Sequence, residues 1–83
     1  MQFVSVGFGS NVCVDRVVAV LNPDSAPIRR RIQEAKEAHE LIDATYGRKI
    51  RAVLIMDSGH VMVTAIAPDT LVARMNSETM GGD

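Results

Sequence analysis

The run that decides the fold is RAVLIMDSGHVMVTAIA, residues 51–67. Three turn-forming residues, Asp57-Ser58-Gly59, split it into two apolar segments, 51–56 and 60–67. Neither segment alternates apolar with polar residues, so each reads as a strand buried on both faces. A sheet holding such strands needs cover on both sides.

Working outward, Leu41–Tyr46 reads as a short strand, and Gly47-Arg48-Lys49 as the turn that returns the chain into 51–56. Before it lies NPDSAPIRRRIQEAKE, residues 22–37. Asp24 or Ser25 can cap a helix here, and Pro27 falls in its first turn, where a missing N–H costs nothing. Ile28, Ile32, Ala35, Ala38 or His39, and Leu41 make an apolar stripe, so the spacing predicts an amphipathic helix to about residue 39. The N-terminal segments 2–8 and 11–21, rich in Val and Phe, predict two strands joined at Gly9-Ser10-Asn11. In an unbroken second strand, Val12, Val14, Val18 and Val20 share one face with Arg16. Pro68-Asp69 opens a short helix over Thr70–Met75, and 76–83 reads as a flexible tail.

The expected architecture is a single α+β domain over residues 1–75: a small, mostly antiparallel sheet, one amphipathic helix and a short C-terminal helix. A helix of that length covers one face of a four- or five-stranded sheet. The C-terminal helix is too short for the other, so a second copy of the chain is expected to cover it. The competing arrangement is a sheet that curls and closes on itself.

Composition narrows the function. At 83 residues the chain organises one core, of marginal stability as a monomer. Its single cysteine, Cys13, excludes an intrachain disulfide scaffold. No apolar run approaches the roughly 18–20 residues of a membrane span, so a cytoplasmic protein without membrane contact is expected. Phe3, Phe8 and Tyr46 are the only aromatics, too few for a broad base-stacking platform. Net charge is −1, yet residues 16–51 hold eight of the nine bases and five of the ten acids. That asymmetry points to a basic face on a near-neutral protein.

Three groups of bases stand out. Arg29-Arg30-Arg31 at a helix start oppose the macrodipole. Arg30 and Arg31 can reach Glu34, whereas Arg29 has no acid at helical spacing. Arg48, Lys49 and Arg51 crowd the turn after Gly47, where Asn-Gly or Asp-Gly would be the stable choice. Such a tip suits phosphate contacts, although a solvated basic turn, or pairing of Arg51 with Asp43, competes with that reading. Arg16, on an apolar strand face, needs a partner, an edge or a ligand; Asp43 and Asp57 are the candidate partners.

Catalytic readings fare worse. GFGSN lacks the third glycine of a dinucleotide fingerprint and precedes a strand. Asp57, Ser58 and His60 are triad residue types, but neighbours on one turn rarely converge. Cys13, His39 and His60 lack metal-site spacing. No enzyme activity, metal, cofactor or small-molecule substrate is expected.

The opening FVSVGFGSNV, PDSAPI-R at 23–29, DATYGR at 43–48 and RAV-I-MDS-H at 51–60 together resemble one family over about residues 2–75. It is the extracellular matrix regulatory protein RemA family, small bacterial DNA-binding regulators. The resemblance implies a fold like the LytTR DNA-binding domain, ring-shaped homo-oligomers, and duplex DNA held by repeated basic patches to control transcription, including biofilm matrix genes. It implies DNA-binding roles for Arg16, Arg48 and Lys49 and importance for Pro27. Lys49 stands where arginine is commoner, keeping the charge but not the bidentate fork. Arg51, Arg29 and Arg30 are added from their positions here, with Gly47 and Pro27 as structural turn residues. Rival readings are a homo-oligomeric protein-interaction scaffold and an RNA-binding protein.

Overall fold

The computed structural model of the protein describes residues 2–81, with side chains through Asn76. Six strands and two helices follow in the order β1 (Phe3–Gly7), β2 (Ser10–Cys13), β3 (Val17–Leu21), α1 (Ala26–Glu37), β4 (Leu41–Asp43), β5 (Ala52–Met56), β6 (Val61–Thr64) and α2 (Pro68–Gly81). This is the expected α+β class with mostly antiparallel pairing, but the strands form two sheets. β1 and β2 make a hairpin, and the other four form a sheet in the order β3-β5-β6-β4.

The two unalternating strands sit at the centre of that sheet. β5 and β6 pair antiparallel, Val53 opposite Val63 and Leu54 opposite Met62. Side chains at successive strand positions point to opposite faces, so consecutive buried residues demand two cores, and two are present. On one face Val53, Val61 and Val63 pack with Ala35, Ile28 and Ile32 of α1. On the other, Leu54, Ala52 and Met62 pack with Val4, Val6 and Val12 of the hairpin and Leu71 of α2.

This second layer corrects the reason given for expecting a second copy, that the far face of the sheet lacks cover. The far face of the sheet is covered by the chain's own β1–β2 hairpin together with α2. The helix runs Pro68–Gly81, not Thr70–Met75. Ala73, Arg74 and Met75 favour helix, and nothing before Gly81 breaks it. The flexible tail expected at 76–83 lies mostly outside the residues described with side chains.

The second strand is not continuous either. A single 3-10 turn, Val14–Arg16, separates β2 from β3 and lets the two strands join different sheets. The parity that placed Arg16 among buried valines is therefore broken: Val12 is buried, while Val18, on edge strand β3, is 68% exposed.

The chain also does not turn directly from β4 into β5. β4 pairs parallel with β6, Leu41 opposite Val61 and Asp43 opposite Val63, so β6 lies between β4 and β5. The loop 44–51 straddles the end of β6, pinned at one foot by the Ala44 N–H donating to the Val63 carbonyl (2.9 Å). At the other foot the Arg51 N–H donates to the Thr64 carbonyl (2.8 Å).

Helix α1 begins as expected: the Ser25 hydroxyl caps it by accepting from the Ile28 N–H, and Pro27 sits in the first turn. It ends two residues early. His39 adopts φ +60°, the Glu40 N–H reaches back to the Ala35 carbonyl (2.8 Å) and the His39 N–H to the Lys36 carbonyl (3.2 Å). That closure is a Schellman motif with histidine where glycine is usual, so His39 leaves the apolar stripe and is exposed.

Candidate nucleic-acid interface

The loop over β6 is built from its first residues. Asp43 Oδ1 accepts from both the Thr45 N–H (2.9 Å) and the Thr45 hydroxyl (2.6 Å), which turns the chain sharply out of β4. These hydrogen bonds hold the Asp43 carboxyl below its ordinary pKa, the hydroxyl contributing most. Thr45 is buried, and its carbonyl accepts from the Arg48 N–H (3.1 Å), closing a four-residue turn. The central residues, Tyr46 at φ +54° and Gly47 at φ +83°, have the positive-φ pattern of a type I′ turn. Glycine adopts this freely; tyrosine does so at a cost.

The hairpin tip repeats that design. Gly7 pairs with Ser10, and between them Phe8 (φ +54°) and Gly9 (φ +80°) form the turn, which starts one residue before the Gly9-Ser10-Asn11 expectation. The two turns come together. The rings of Phe8 and Tyr46 lie 5.2 Å apart, tilted by 40°, and the Arg48 guanidinium carbon sits 4.8 Å from the centre of the Phe8 ring. Both rings remain open to solvent, Phe8 by 48% and Tyr46 by 66%. Sequence reasoning missed Phe8. The available signal was a repeated aromatic-glycine dipeptide, Phe8-Gly9 and Tyr46-Gly47.

Arg48, Lys49 and Arg51 all project from this loop as exposed residues. None forms an ion pair among the described residues, where the single pair is Arg16 with Asp57. The competing partner for Arg51, Asp43, is occupied by Thr45. Beside the loop lies an open crevice of about 300 Å³ whose walls include Lys49 and Arg51 but also Asp24 and Asp69. Its charges balance, so the unopposed cationic surface is the loop's outer side, around Arg48.

Arg29 and Arg30 stand exposed on the first turns of α1, which follows directly from the Asn22–Asp24 wall of that crevice. No acid occupies the first turn of α1, and neither Arg30 nor Arg31 pairs with Glu34. Arg31 instead donates to the Gly59 carbonyl (3.0 Å), fastening the helix to the β5–β6 turn.

Arg16 is elsewhere. It precedes Val17, which pairs with Met56, whereas the basic loop precedes Ala52 at the other end of β5. The five residues of β5 separate the two by roughly 17 Å. At its own end, Arg16 donates to Asp57 Oδ2 (2.9 Å), and Asp57 raises the Arg16 pKa by that bond and by its charge. The pair is exposed, and its guanidinium remains accessible.

The turn that Asp57 opens contains no triad. The Ser58 hydroxyl lies 2.8 Å from His60 Nδ1, the nitrogen an orienting acid would occupy, and Asp57 is committed to Arg16. Among the described residues no three His, Cys, Asp or Glu side chains are grouped to hold a metal. No helix among them is long and apolar enough to cross a membrane.

The fold is thus a central sheet covered on both faces, with an exposed basic loop whose cations form no salt bridge among the described residues and which is backed by Phe8 and Tyr46. Residues 3–75 match the model of the RemA-like family, described as extracellular matrix regulatory protein A-like. The chain belongs to the RemA-like family. It is 53% identical over its full length to a "Putative regulatory protein" of Dictyoglomus thermophilum, covering 93% of that chain. It is 49% identical over 94% of its length to one from Bacillus cytotoxicus, covering 90% of that protein. Family and relatives alike point to a regulatory role and away from catalysis.

Proposed function

We propose that the protein is an oligomeric, cytoplasmic DNA-binding transcriptional regulator that holds duplex DNA through basic patches repeated from copy to copy. Arg48, Lys49 and Arg51 contribute the main phosphate contacts. Arg29 and Arg30 extend that patch, and Arg16 supplies a second contact at the far end of β5. Biofilm matrix genes are the proposed targets, in keeping with the family's description.

One observation carries the reading: three exposed cations share one loop, none forms a salt bridge among the described residues, and Arg48 stands outside the crevice where Asp24 and Asp69 face Lys49 and Arg51. Like charges held close repel each other, and phosphate is the partner that relieves this while using the arginine fork. In this reading backbone contacts and DNA bendability carry the recognition. A few contacts per copy are weak alone, and several copies on one duplex make them strong.

The test is fluorescence anisotropy of a labelled duplex from about 50 to 300 mM salt, for the wild type and an Arg48→Ala/Lys49→Ala variant. The expected result is a steep negative log–log salt slope for the wild type. The variant should lose most of its affinity, with a slope shallower by about 0.9 for each phosphate contact removed. Size-exclusion chromatography with light scattering should show the same assembly for both. Equal affinity of the two proteins would place the site elsewhere, and tighter binding of duplex RNA in competition would redirect the reading to RNA.

A further inference from the structure

The β1–β2 hairpin contributes more than core. Its tip carries Phe8, and a large ring at that position is hard to explain by stability. The turn needs positive φ at both central residues, a demand that Asn, Asp or Gly meets most cheaply. Phe8 meets it at φ +54°, and Tyr46 does so again in the facing turn. Burial does not repay either: both rings stay about half exposed or more. What the arrangement does achieve is a ring beneath the Arg48 guanidinium at 4.8 Å, with Tyr46 5.2 Å from Phe8 on the same small surface.

We propose that Phe8 is a positioning residue for nucleic-acid binding: the hairpin tip holds Arg48 over its ring, so that the guanidinium is presented to a DNA phosphate. This rests on the DNA-binding reading above and adds a second segment of chain to it. A guanidinium stacked on a ring keeps its N–H donors at the edge of the plane, where a phosphate oxygen can accept from them. It also loses less side-chain freedom on binding than a free arginine, and the saving recurs in every copy that touches the duplex. Tyr46 packs against Phe8, its ring centre 5.2 Å away.

The test uses Phe8→Asn, which suits the turn backbone better than phenylalanine does. Its melting temperature should be equal to or above that of the wild type, so loss of binding cannot be ascribed to unfolding. Duplex affinity should fall by at least about 2- to 5-fold, the strength of one exposed cation–π contact, and Phe8→Trp should restore it. In an Arg48→Ala background, Phe8→Asn should have no further effect. Equal losses in both backgrounds would overturn the positioning role, since the ring would then act without Arg48. Unchanged affinity of Phe8→Asn beside a clear loss in Arg48→Ala would overturn the inference and leave the DNA reading standing. A wild-type protein that binds no duplex would overturn that reading and this inference together, and is recognised because the wild type itself is silent.

Discussion

Replacing Thr64 with Val should destabilise the domain far more than the near-identical shapes of the two side chains suggest. Thr64 is fully buried at the end of β6. Its hydroxyl donates to the Val6 carbonyl (2.7 Å) and accepts from the Ile66 N–H (3.2 Å). Val6 lies where the β1–β2 register shifts between Ser5 and Gly7, and it is itself only 1% exposed. Valine would leave that carbonyl buried without a partner, a cost of about 1–3 kcal/mol. The half-buried Ile66 N–H can partly recover by hydration and adds a fraction of the same. The extra methyl returns less than about 1 kcal/mol, so the net loss is about 1–3 kcal/mol. For a domain of this length that lowers the melting temperature by roughly 4–24 °C. Urea unfolding followed by circular dichroism measures it. Thr64→Ser, which keeps the hydroxyl and loses one methyl, should cost only about 1 kcal/mol. Because this bond ties the hairpin to the sheet, β1 amides should also gain hydrogen exchange ahead of β5 amides. A Thr64→Val protein within about 0.5 kcal/mol of wild type, below any partnerless-carbonyl cost, would refute the reasoning. So would a serine variant less stable than the valine one.

Other expectations follow from single contacts. Asp57→Asn removes the charge that neutralises Arg16; if Arg16 meets a phosphate, the salt slope of DNA binding should steepen by up to about 0.9 per copy. An unchanged slope would remove Arg16 from the interface. His39→Gly relieves a left-handed residue at the end of α1 and should stabilise the domain by about 0.5–1 kcal/mol, read as a higher urea midpoint. Asp43 has a folded pKa held below its unfolded value by Thr45, so its contribution is complete above about pH 4 and is lost as pH falls through the lower, folded pKa. Urea midpoints followed from pH 5 to 2 should therefore drop less steeply for Asp43→Asn than for the wild type.

The features legible beforehand are those governed by neighbours along the chain. Ser25 and Pro27 announce the start of α1 because a cap needs only the next three residues. Asp57-Ser58-Gly59 announces a turn, and the unbroken apolar run of 51–67 announces two strands covered on both faces. The bases after Gly47 were visible as a cluster because three of them lie within four positions. Histidine at the end of α1 is harder to read: the apolar stripe runs on through residue 39, and the left-handed closure depends on where the next strand must begin.

Tertiary structure decided the rest, since each remaining choice is between partners far apart in sequence. A two-residue period says which side of a strand is buried but not which strand lies beside it, so nothing local told β4 to pair parallel with β6 or the loop 44–51 to straddle that strand. Nor could it say that a 3-10 turn at Val14–Arg16 would send β2 and β3 into different sheets, freeing the hairpin to cover the second face. That covering layer brings Phe8 to Arg48 across forty positions of chain, and it places Arg16 at the opposite end of β5. The sequence by itself determined the kinds of element and the basic character of the loop. Which residues stand together was decided by the burial of two apolar faces, a requirement met only when the whole chain is folded.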